Sequence, residues 1–378
     1  MKILYFYPDN PLSSTQGNNA RASALLHYFK SRAISIDLVG CKSVDYAESD
    51  AATIVEHKLA DNVFLLKKHK TKFYQISYFF KESLPNFFLN RIKQFRRAKL
   101  NHQVEFNEIL KNNSYDYIII SYSCWASLVK NNSQLKNAKL VIDTHDFLTS
   151  QFQTTKKFKL GRFFQKEIEL LCLFDIVIAI SVEENYIYSQ FLKSRIEIIP
   201  HTLTDNCISK TEKKEYDIIY VASDNPHNRN GINWFLEKVF PLLNREIKIC
   251  IIGKITHCIA DYPNVEKNKF VNDLNQYYSN SKLAICPMFT GTGLKIKVVE
   301  AMSFGIPVVC NERGIDGLYN KTDNGSLVTN NPEKFAHFIH KLIEDREYYD
   351  EISNQSEKYF KRNHHIDVVY GKLDSIFN

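Results

Sequence analysis

The chain has 378 residues, of which 44% are hydrophobic and 13% aromatic, and its formal net charge is +7 at pH 7. This length exceeds what one hydrophobic core usually serves, so it predicts two domains, and the composition excludes an intrinsically disordered chain. No stretch approaches the roughly 20 apolar residues of a membrane-spanning helix, and the apolar N-terminus is too short for a signal peptide. We therefore expect a protein that is neither secreted nor integral to a membrane.

The eight cysteines are scattered singly, without a C-x-x-C pair or a Cys/His cluster at zinc-ligand spacing. Cys250 and Cys310 lie in apolar runs, where cysteine packs as a small hydrophobic residue. The pattern predicts reduced cytosolic thiols.

Short β-branched or aromatic runs alternate with helical patterns along the chain, which is typical of parallel sheets with crossover helices. The first predicted helix spans about residues 19–31, and the strands of the first domain cover residues 2–7, 34–39, 63–66, 117–121, 140–143, 176–180 and 196–199. The pattern restarts after the polar stretch 204–215, with strands over residues 216–221, 247–253, 265–270, 283–286 and 307–310 and a closing helix over about 332–360.

We predict an N-terminal Rossmann-like domain over residues 1–205 and a C-terminal Rossmann-like domain over residues 206–365. A last segment, residues 366–378, could return to the first domain. Ligands of such open α/β sheets bind at the carboxyl ends of the strands. Residues that follow strands are therefore the first candidates for function.

Two polar motifs occupy such places in the first domain. Asp143-Thr144-His145-Asp146 follows a predicted strand, so His145 and Asp146 emerge at its carboxyl end. A loop whose polar groups satisfy one another is the competing interpretation. Gly17 precedes the first helix and Arg21 stands one turn inside it, where it could approach a phosphate or an acceptor, or belong to an ordinary loop.

A basic and aromatic segment runs from Lys67 to Lys99, with ten basic residues against one acid, Glu82, and eight aromatic rings. Lys/Arg with Phe/Tyr suits the surface of an anionic bilayer, whose head groups meet the cations while the rings lie in the interface. A nucleic-acid surface and a plain solvated face above core aromatics are the alternatives. We expect an anionic membrane surface and no nucleic acid.

The segment after the strand over residues 283–286 combines glycines, a lysine and the start of a helix. Gly291-Thr292-Gly293-Leu294-Lys295 precedes an apolar-periodic run over residues 296–302. Glycines let a ligand approach the backbone, the free N–H groups and the helix dipole favour an anion, and Lys295 adds a full positive charge. Glu300 lies on an apolar helix face, where only a carboxylate with partners, such as ligand hydroxyls, is satisfied. A diphosphate site is predicted; a tight turn with a surface lysine and glutamate is the alternative.

The longer pattern from Gly291 to Val309, followed by Gly314-Ile315-Asp316-Gly317, resembles the donor-site motif of glycosyltransferase family 4. This is a retaining family, and the resemblance implies an α/β protein of the GT-B fold, with two Rossmann-like domains facing each other across a cleft. It also implies a nucleotide-diphosphate sugar as donor, with no cofactor and no metal. In that family the glutamate matching Glu300 holds the ribose, while the loop and basic side chains hold the diphosphate.

More loosely, the resemblance covers Gly17–Arg21, Asp143–Asp146 and Asn228–Phe235. It implies that His145 lies near the transferred sugar and that Asp146 binds the acceptor or orients His145. It adds Gly17, Arg21, Asn228 and Arg229 to the donor-binding residues. It also implies attack by the acceptor hydroxyl on the face from which the diphosphate leaves, without a protein nucleophile, so that the protein mainly positions substrates and stabilises charge.

Two positions depart from the family pattern. Many members have a first glutamate in an E-x7-E spacing, and the matching residue here is Thr292. An Arg/Lys pair ahead of the first helix of the second domain is replaced by a stretch, 226–231, in which Arg229 is the one Lys or Arg. Lys295 therefore becomes the leading candidate to neutralise the leaving group, and it joins His145 and Asp146 as a catalytic candidate.

Two hypotheses follow. The first is a retaining, metal-independent hexosyltransferase that acts on a glycan or lipid-linked acceptor in bacterial surface polysaccharide synthesis (lipopolysaccharide, O-antigen or capsule), in the cytoplasm or peripherally on the inner face of the membrane. The second is a non-catalytic, membrane-associated protein with a degenerate sugar-nucleotide site, suggested by Thr292. The nucleotide base, the sugar and the acceptor are not encoded in any motif that we recognise.

Overall fold

The structure is a computed structural model that describes residues 1–13, 17–67, 92–207 and 214–377. Its contacts form two compact units, Met1–Ile180 with Glu184–Ile198, and Ser181–Glu183 with Ile199–Asn378. Each unit is built on one parallel sheet, which confirms the predicted α/β class. The division falls at Ile198–Ile199 rather than at residue 205, and the C-terminal segment groups with the second unit, not with the first.

The first unit contains a seven-stranded sheet with the order β3-β2-β1-β4-β5-β6-β7. Its strands are β1 (Lys2–Phe6), β2 (Ser35–Cys41), β3 (Asn62–Leu66), β4 (Tyr117–Ser121), β5 (Lys139–Asp143), β6 (Ile176–Ala179) and β7 (Arg195–Ile198). Its described α-helices are α1 (Gly17–Ser31), α2 (Glu48–Glu56), α3 (Leu100–Asn112), α4 (Leu148–Gln151), α5 (Leu160–Leu171) and α6 (Val182–Phe191), of which α6 begins within Ser181–Glu183.

The second unit contains a six-stranded sheet with the order β10-β9-β8-β11-β12-β13. Its strands are β8 (Tyr216–Val221), β9 (Ile249–Ile252), β10 (Val265–Asn268), β11 (Ser281–Cys286), β12 (Val308–Cys310) and β13 (Ser326–Val328). Its described α-helices are α7 (Pro226–Trp234), α8 (Leu274–Ser279), α9 (Ile296–Ser303), α10 (Pro332–Glu344), α11 (Arg346–Asn363) and α12 (Ile366–Asp374).

The strand sequences explain why these sheets form. β4 reads Tyr-Ile-Ile-Ile-Ser and all five residues are buried, as in a parallel strand that is covered on both faces. Burying each large apolar side chain contributes roughly 1.5–3 kcal/mol, so such a run strongly favours a central position. β4 lies in the middle of its sheet.

Two features of the second unit differ from the sequence prediction. The closing helix is two helices, α10 and α11, because Asp345 leaves the helical conformation and its side chain accepts a hydrogen bond from the Tyr348 N–H, which caps a new helix. The three-residue strand β13 was not predicted, since Ser326-Leu327-Val328 is too short to show a periodic pattern.

Most of the basic and aromatic segment, residues 68–91, lies outside the described residues. Within the described part of the chain, no helix combines the length and the apolar character that crossing a membrane requires.

The strand orders place β1 beside β4 in the first sheet and β8 beside β11 in the second. At these pairs the chain reverses the direction in which it adds strands. In open α/β sheets, ligands bind in the crevice at the carboxyl ends of the strands at this point. The residues that follow β1, β4, β8 and β11 therefore define where each unit could bind a ligand.

Candidate functional site

Three aromatic rings gather at the ligand-binding edge of the first sheet. Tyr7 follows β1, Tyr122 follows β4 and His145 follows β5. The His145 ring stacks on Tyr122 with centroids 4.3 Å apart, and its centroid lies 5.7 Å from that of Tyr7. Tyr122 and His145 both have left-handed backbone conformations, with φ of 67° and 58°. Such strain is uncommon for bulky residues and is concentrated at functional sites.

Beneath these rings lies a buried charge pair. Arg21 of α1 donates to Asp143 at the end of β5, with Nη2 2.7 Å from Oδ1 and Nε 3.0 Å from Oδ2. Burial raises the pKa of Asp143, but the neighbouring Arg21 guanidinium, together with the His145 ring, outweighs that effect and holds this pKa well below its usual range. Arg21 is thus positioned by Asp143, and Gly17 is the first residue of the same helix.

The same carboxylate positions His145. Its Nε2 lies 3.2 Å from Asp143 Oδ2 and 3.2 Å from the Ser121 hydroxyl. Its Nδ1 is buried and has no hydrogen-bond partner among the described residues. A buried ring nitrogen without a partner is costly, so it marks a place where a ligand hydroxyl would be favoured.

Asp146 lies at the edge of this group and is half-buried. After burial, its negative charge is the second cause that raises the pKa of Tyr122 above the usual range. The structure therefore brings together the predicted residues Arg21, His145 and Asp146, and it adds Tyr7 and Tyr122, which the sequence analysis missed. The sequence clue that could have identified these two tyrosines is their position directly after two central strands, β1 and β4.

In the second unit, the predicted donor loop follows β11. Gly291 and Gly293 have φ values of 97° and 71°, which glycine adopts without strain. The start of α7 lies against this loop: His227 Nδ1 is 2.8 Å from the Thr290 hydroxyl. A Cβ on Gly231 would lie 1.6 Å from the Pro287 carbonyl oxygen, so only glycine permits this approach.

Lys295 occupies the N-cap position of α9 without a side-chain capping hydrogen bond, and its side chain folds back onto the loop. Nζ donates to the Gly293 carbonyl at 2.7 Å and to the Thr292 carbonyl at 3.3 Å, and the residue is 7% exposed. Leu294 is buried beside it. Lys295 therefore places its charge behind the loop backbone, where it stabilises the loop as well as any anion above it.

A second lysine, Lys297, was missed by the sequence analysis. Its Nζ donates to Asn228 Oδ1 at 2.8 Å and lies 4.8 Å from the centre of the Tyr220 ring. Burial lowers its pKa. The Lys-Ile-Lys sequence at the start of the helix could have indicated Lys297 as a second cation. Its contact with Asn228, which the sequence analysis did select, is visible only in the structure.

Glu300 follows Lys297 by one helical turn. It accepts a hydrogen bond from the Tyr278 hydroxyl at 3.2 Å. Burial raises its pKa, while the Tyr278 hydrogen bond and the charge of Lys297 oppose that rise. The residue is partly exposed, so its carboxylate is both supported by neighbours and available to a ligand.

Arg229 was predicted to bind the donor. It is exposed, and its guanidinium binds both oxygens of Asp224, with Nη2 2.6 Å from Oδ2. The cations that the structure brings to the donor loop itself are Lys295 and Lys297.

Apart from Arg229, the predicted donor residues of the second unit thus form one group around the loop and the start of α9. Two lysines, left-handed glycines and the N-terminus of α9 can hold a diphosphate, and Glu300 can accept hydrogen bonds from sugar hydroxyls. Gly17 and Arg21 lie in the first unit.

The chain is similar to known proteins in sequence and in fold. The sequence model of the family described as "Glycosyl transferases group 1" matches residues 215–345. An uncharacterized 44.6 kDa protein in the cps region of Klebsiella pneumoniae is 22% identical over 313 residues, which cover 75% of this chain and 80% of that protein.

Solved structures share the fold over the whole chain. Sucrose-phosphate synthase from Thermosynechococcus elongatus superposes with a TM-score of 0.72 at 13% identity, covering 100% of this chain and 98% of its own. HepE from Anabaena, solved in complex with UDP, has a TM-score of 0.71 at 14% identity and covers 100% and 99%. The match to the group 1 glycosyltransferase family is thus confined to the second unit, while the GT-B fold of these solved structures extends over both units of this chain.

Proposed function

We propose that the protein is a retaining, metal-independent hexosyltransferase that moves a sugar from a nucleoside-diphosphate sugar to a hydroxyl of a glycan or lipid-linked acceptor. The observation that carries the proposal is the grouping of Lys295, Lys297 and Glu300 on one helix start behind a loop with two left-handed glycines.

The two lysines suit a diphosphate. Lys295 is buried behind the loop carbonyls and Lys297 is held by Asn228, so both charges are fixed before a ligand arrives. Fixed charges cost no reorganisation when negative charge grows on the leaving phosphate, which makes them effective in the transition state. The Lys295 ammonium lies against the loop carbonyls, and the Lys297 ammonium lies beside Asn228 at the start of α7.

Glu300 suits the ribose. A carboxylate accepts hydrogen bonds from two vicinal hydroxyls, as the acidic residue of dinucleotide sites does. The Tyr278 hydroxyl orients Glu300 through Oε2. Structures of HepE hold UDP and UDP-glucose, which supports UDP-sugars as the first donors to test here.

In the proposed reaction, the acceptor oxygen attacks the anomeric carbon as the bond to the diphosphate oxygen breaks on the same face. The acceptor proton passes to the departing phosphate oxygen. His145 accepts or donates a hydrogen bond at a sugar hydroxyl through Nδ1, while Asp143 holds Nε2. Asp146 binds the acceptor or supports His145.

The acceptor is proposed to be anionic and lipid-linked, with the protein peripheral on the cytoplasmic face of the membrane. A cavity of about 680 Å³ in the first unit supports this. Its lining includes four cationic side chains, one acid and three apolar residues: Arg96, Lys130, Arg162, Lys166, Glu169, Ile92, Phe95 and Leu170. The excess of positive charge on this wall suits an anionic head group.

A role in bacterial surface polysaccharide synthesis (lipopolysaccharide, O-antigen or capsule) is part of the proposal. The relative from Klebsiella pneumoniae in the cps region supports it.

A non-catalytic sugar-nucleotide-binding protein is the second candidate. It is favoured by Thr292 at the position of the first family glutamate and by Arg229, which binds Asp224 instead of facing the loop.

The test is nucleotide release from a panel of UDP-, GDP- and dTDP-sugars, with and without a lipid-linked acceptor and with and without EDTA. The transferase is supported by acceptor-dependent release that persists in EDTA. Binding of a donor without release in any combination would establish the non-catalytic alternative, and release only without EDTA would remove metal independence.

A further inference from the structure

Three side chains of types that bind metal ions, Asp224, His257 and Cys258, meet at the carboxyl ends of β8 and β9 in the second unit. None of the three belongs to the proposed sugar-nucleotide site. Asp224 follows β8, and His257 and Cys258 end a short 3-10 helix, Lys254–Cys258, that follows β9. β8 and β9 are neighbours in the sheet, so their carboxyl ends lie side by side. The sequence analysis found no cluster at zinc-ligand spacing because more than thirty residues separate Asp224 from the other two.

The separations of the ligand atoms suit one tetrahedral ion. Nε2 of His257 lies 3.2 Å from Cys258 Sγ and 3.3 Å from Asp224 Oδ2. Cys258 Sγ lies 3.9 Å from the other carboxylate oxygen of Asp224, Oδ1, and one ligand atom from each of the three residues lies within 4.8 Å of the others. Bonds of about 2.3 Å to sulfur and about 2.0–2.1 Å to nitrogen and oxygen put tetrahedral ligand atoms about 3.3–3.6 Å apart. An ion therefore fits with only small side-chain movements.

A second observation concerns the tautomer of His257. Its Nδ1 is hydrogen-bonded to the Lys254 carbonyl oxygen, which can only accept, so Nδ1 carries the proton. Nε2, which faces Cys258 and Asp224, is then the ring nitrogen whose lone pair a neutral His257 offers to a metal ion. Zinc-bound histidines are oriented by this kind of bond from their other ring nitrogen.

The ligand types define the class of ion. A thiolate, an imidazole and a carboxylate favour Zn²⁺ or a similar transition-metal ion over Mg²⁺ or Ca²⁺, which prefer oxygen ligands. His257 and Cys258 are exposed, which leaves a fourth position to water. The bound ion also competes with the guanidinium of Arg229 for Asp224, since both positive charges need the same carboxylate.

We propose that Asp224, His257 and Cys258 bind one zinc-class divalent ion, with water as the fourth ligand. Cys258 loses its thiol proton to solvent on binding, and no oxidation or reduction occurs. The site is independent of the proposed sugar transfer, which uses no metal. Binding loosens the Asp224–Arg229 ion pair and ties the β8–α7 connection to the turn after β9.

The test uses full-length, untagged, reduced and metal-stripped protein. Titration with Co²⁺ is expected to give a thiolate-to-cobalt charge-transfer band that saturates at one equivalent, and calorimetry is expected to show one Zn²⁺ site. Cys258→Ser should abolish the band and weaken Zn²⁺ binding at least about tenfold, since even outer-shell partners of zinc ligands are worth that much. His257→Gln should weaken it similarly.

Cys172→Ser is the matched control, because Cys172 is also exposed but has no ligand cluster around it in the described residues. It should leave the band and the affinity unchanged, and circular dichroism should show that all three variants are folded. The proposal is overturned by absence of a stoichiometric site, by a band that survives Cys258→Ser, or by equal affinities for Zn²⁺ and Mg²⁺.

Discussion

Arg21 and Asp143 form a buried ion pair across the first unit, with Arg21 Nη2 2.7 Å from Asp143 Oδ1 and both side chains at most 7% exposed. Asp143 also holds His145, so one carboxylate connects the first helix to the ring that is proposed to meet the sugar. Removing either partner takes a directly hydrogen-bonded counter-charge away from a buried charge.

We therefore expect Arg21→Leu to lower the free energy of unfolding by about 3–5 kcal/mol, as for other broken buried pairs. Urea denaturation measures this. Arg229→Leu is the matched control, because it breaks an exposed pair with Asp224 and should change stability little. Equal small losses in both variants would show that the buried pair does not stabilise the fold.

Glu184 should make stability depend on pH. Burial, helped by the negative charge of Asp146, raises the pKa of Glu184 to about 8. Hydrogen bonds from the Ile180 N–H and from Thr144 oppose this rise. The folded state therefore binds more protons than the unfolded state between the ordinary pKa near 4.5 and about 8, so this group's contribution to stability falls as pH rises through that window.

Glu184→Gln removes this titration and keeps a carbonyl acceptor for the Ile180 N–H and the Thr144 hydroxyl. Relative to the parent protein, the variant should gain about 1–3 kcal/mol between pH 5 and pH 8. Chemical denaturation at both pH values measures the difference. A stability difference that does not change with pH would mean that Glu184 is already ionised at pH 5.

Glu300 should affect nucleotide affinity rather than stability. Glu300→Gln keeps the size of the side chain and an oxygen that can accept from Tyr278, but it removes the charge that strengthens hydrogen bonds to ribose hydroxyls. We expect UDP to bind about 10-fold more weakly by calorimetry, with an unchanged denaturation midpoint. A UDP analogue without the ribose hydroxyls is the control, since it should bind parent and variant equally. A larger loss of stability than of affinity would assign Glu300 a structural role.

Much of the fold and part of the candidate site could be predicted from the sequence. The remaining site residues could not, and the reasons are physical. Parallel strands such as β4 are continuous apolar runs, and the glycines of the donor loop follow one of them, so both were predictable. The direction of a side chain could not be predicted. Arg229 binds Asp224 in the structure, and the spacing of residues in the sequence does not reveal this contact. Tyr7 and Tyr122 were missed because a tyrosine after a strand resembles any core residue.

Membrane binding should depend on charge. We expect the protein to float with liposomes that contain anionic phosphatidylglycerol at low salt and to dissociate at about 1 M salt, where the screening length falls to about 3 Å. Replacing Lys130 and Lys166 by glutamate, both on the wall of the cavity in the first unit, should weaken flotation. Lys248→Glu and Lys282→Glu in the second unit form the matched control. Flotation that is unaffected by salt and by either pair would exclude an electrostatic attachment.

His145 is expected to act in the chemical step rather than in nucleotide binding. His145→Ala removes the ring that stacks on Tyr122 and leaves Asp143 paired with Arg21, so the fold should survive. Once an active donor is found, we expect kcat/KM for transfer to fall about 100- to 1000-fold, the usual cost of one well-placed hydrogen-bonding group in an active site. The affinity for the free nucleotide should stay unchanged, because the proposed nucleotide contacts lie in the second unit. Tyr122→Phe is the control, since it keeps the stacked ring and should retain most activity. A parallel loss of nucleotide affinity in His145→Ala would instead place His145 in the donor-binding group, and unchanged kcat/KM would remove it from the reaction.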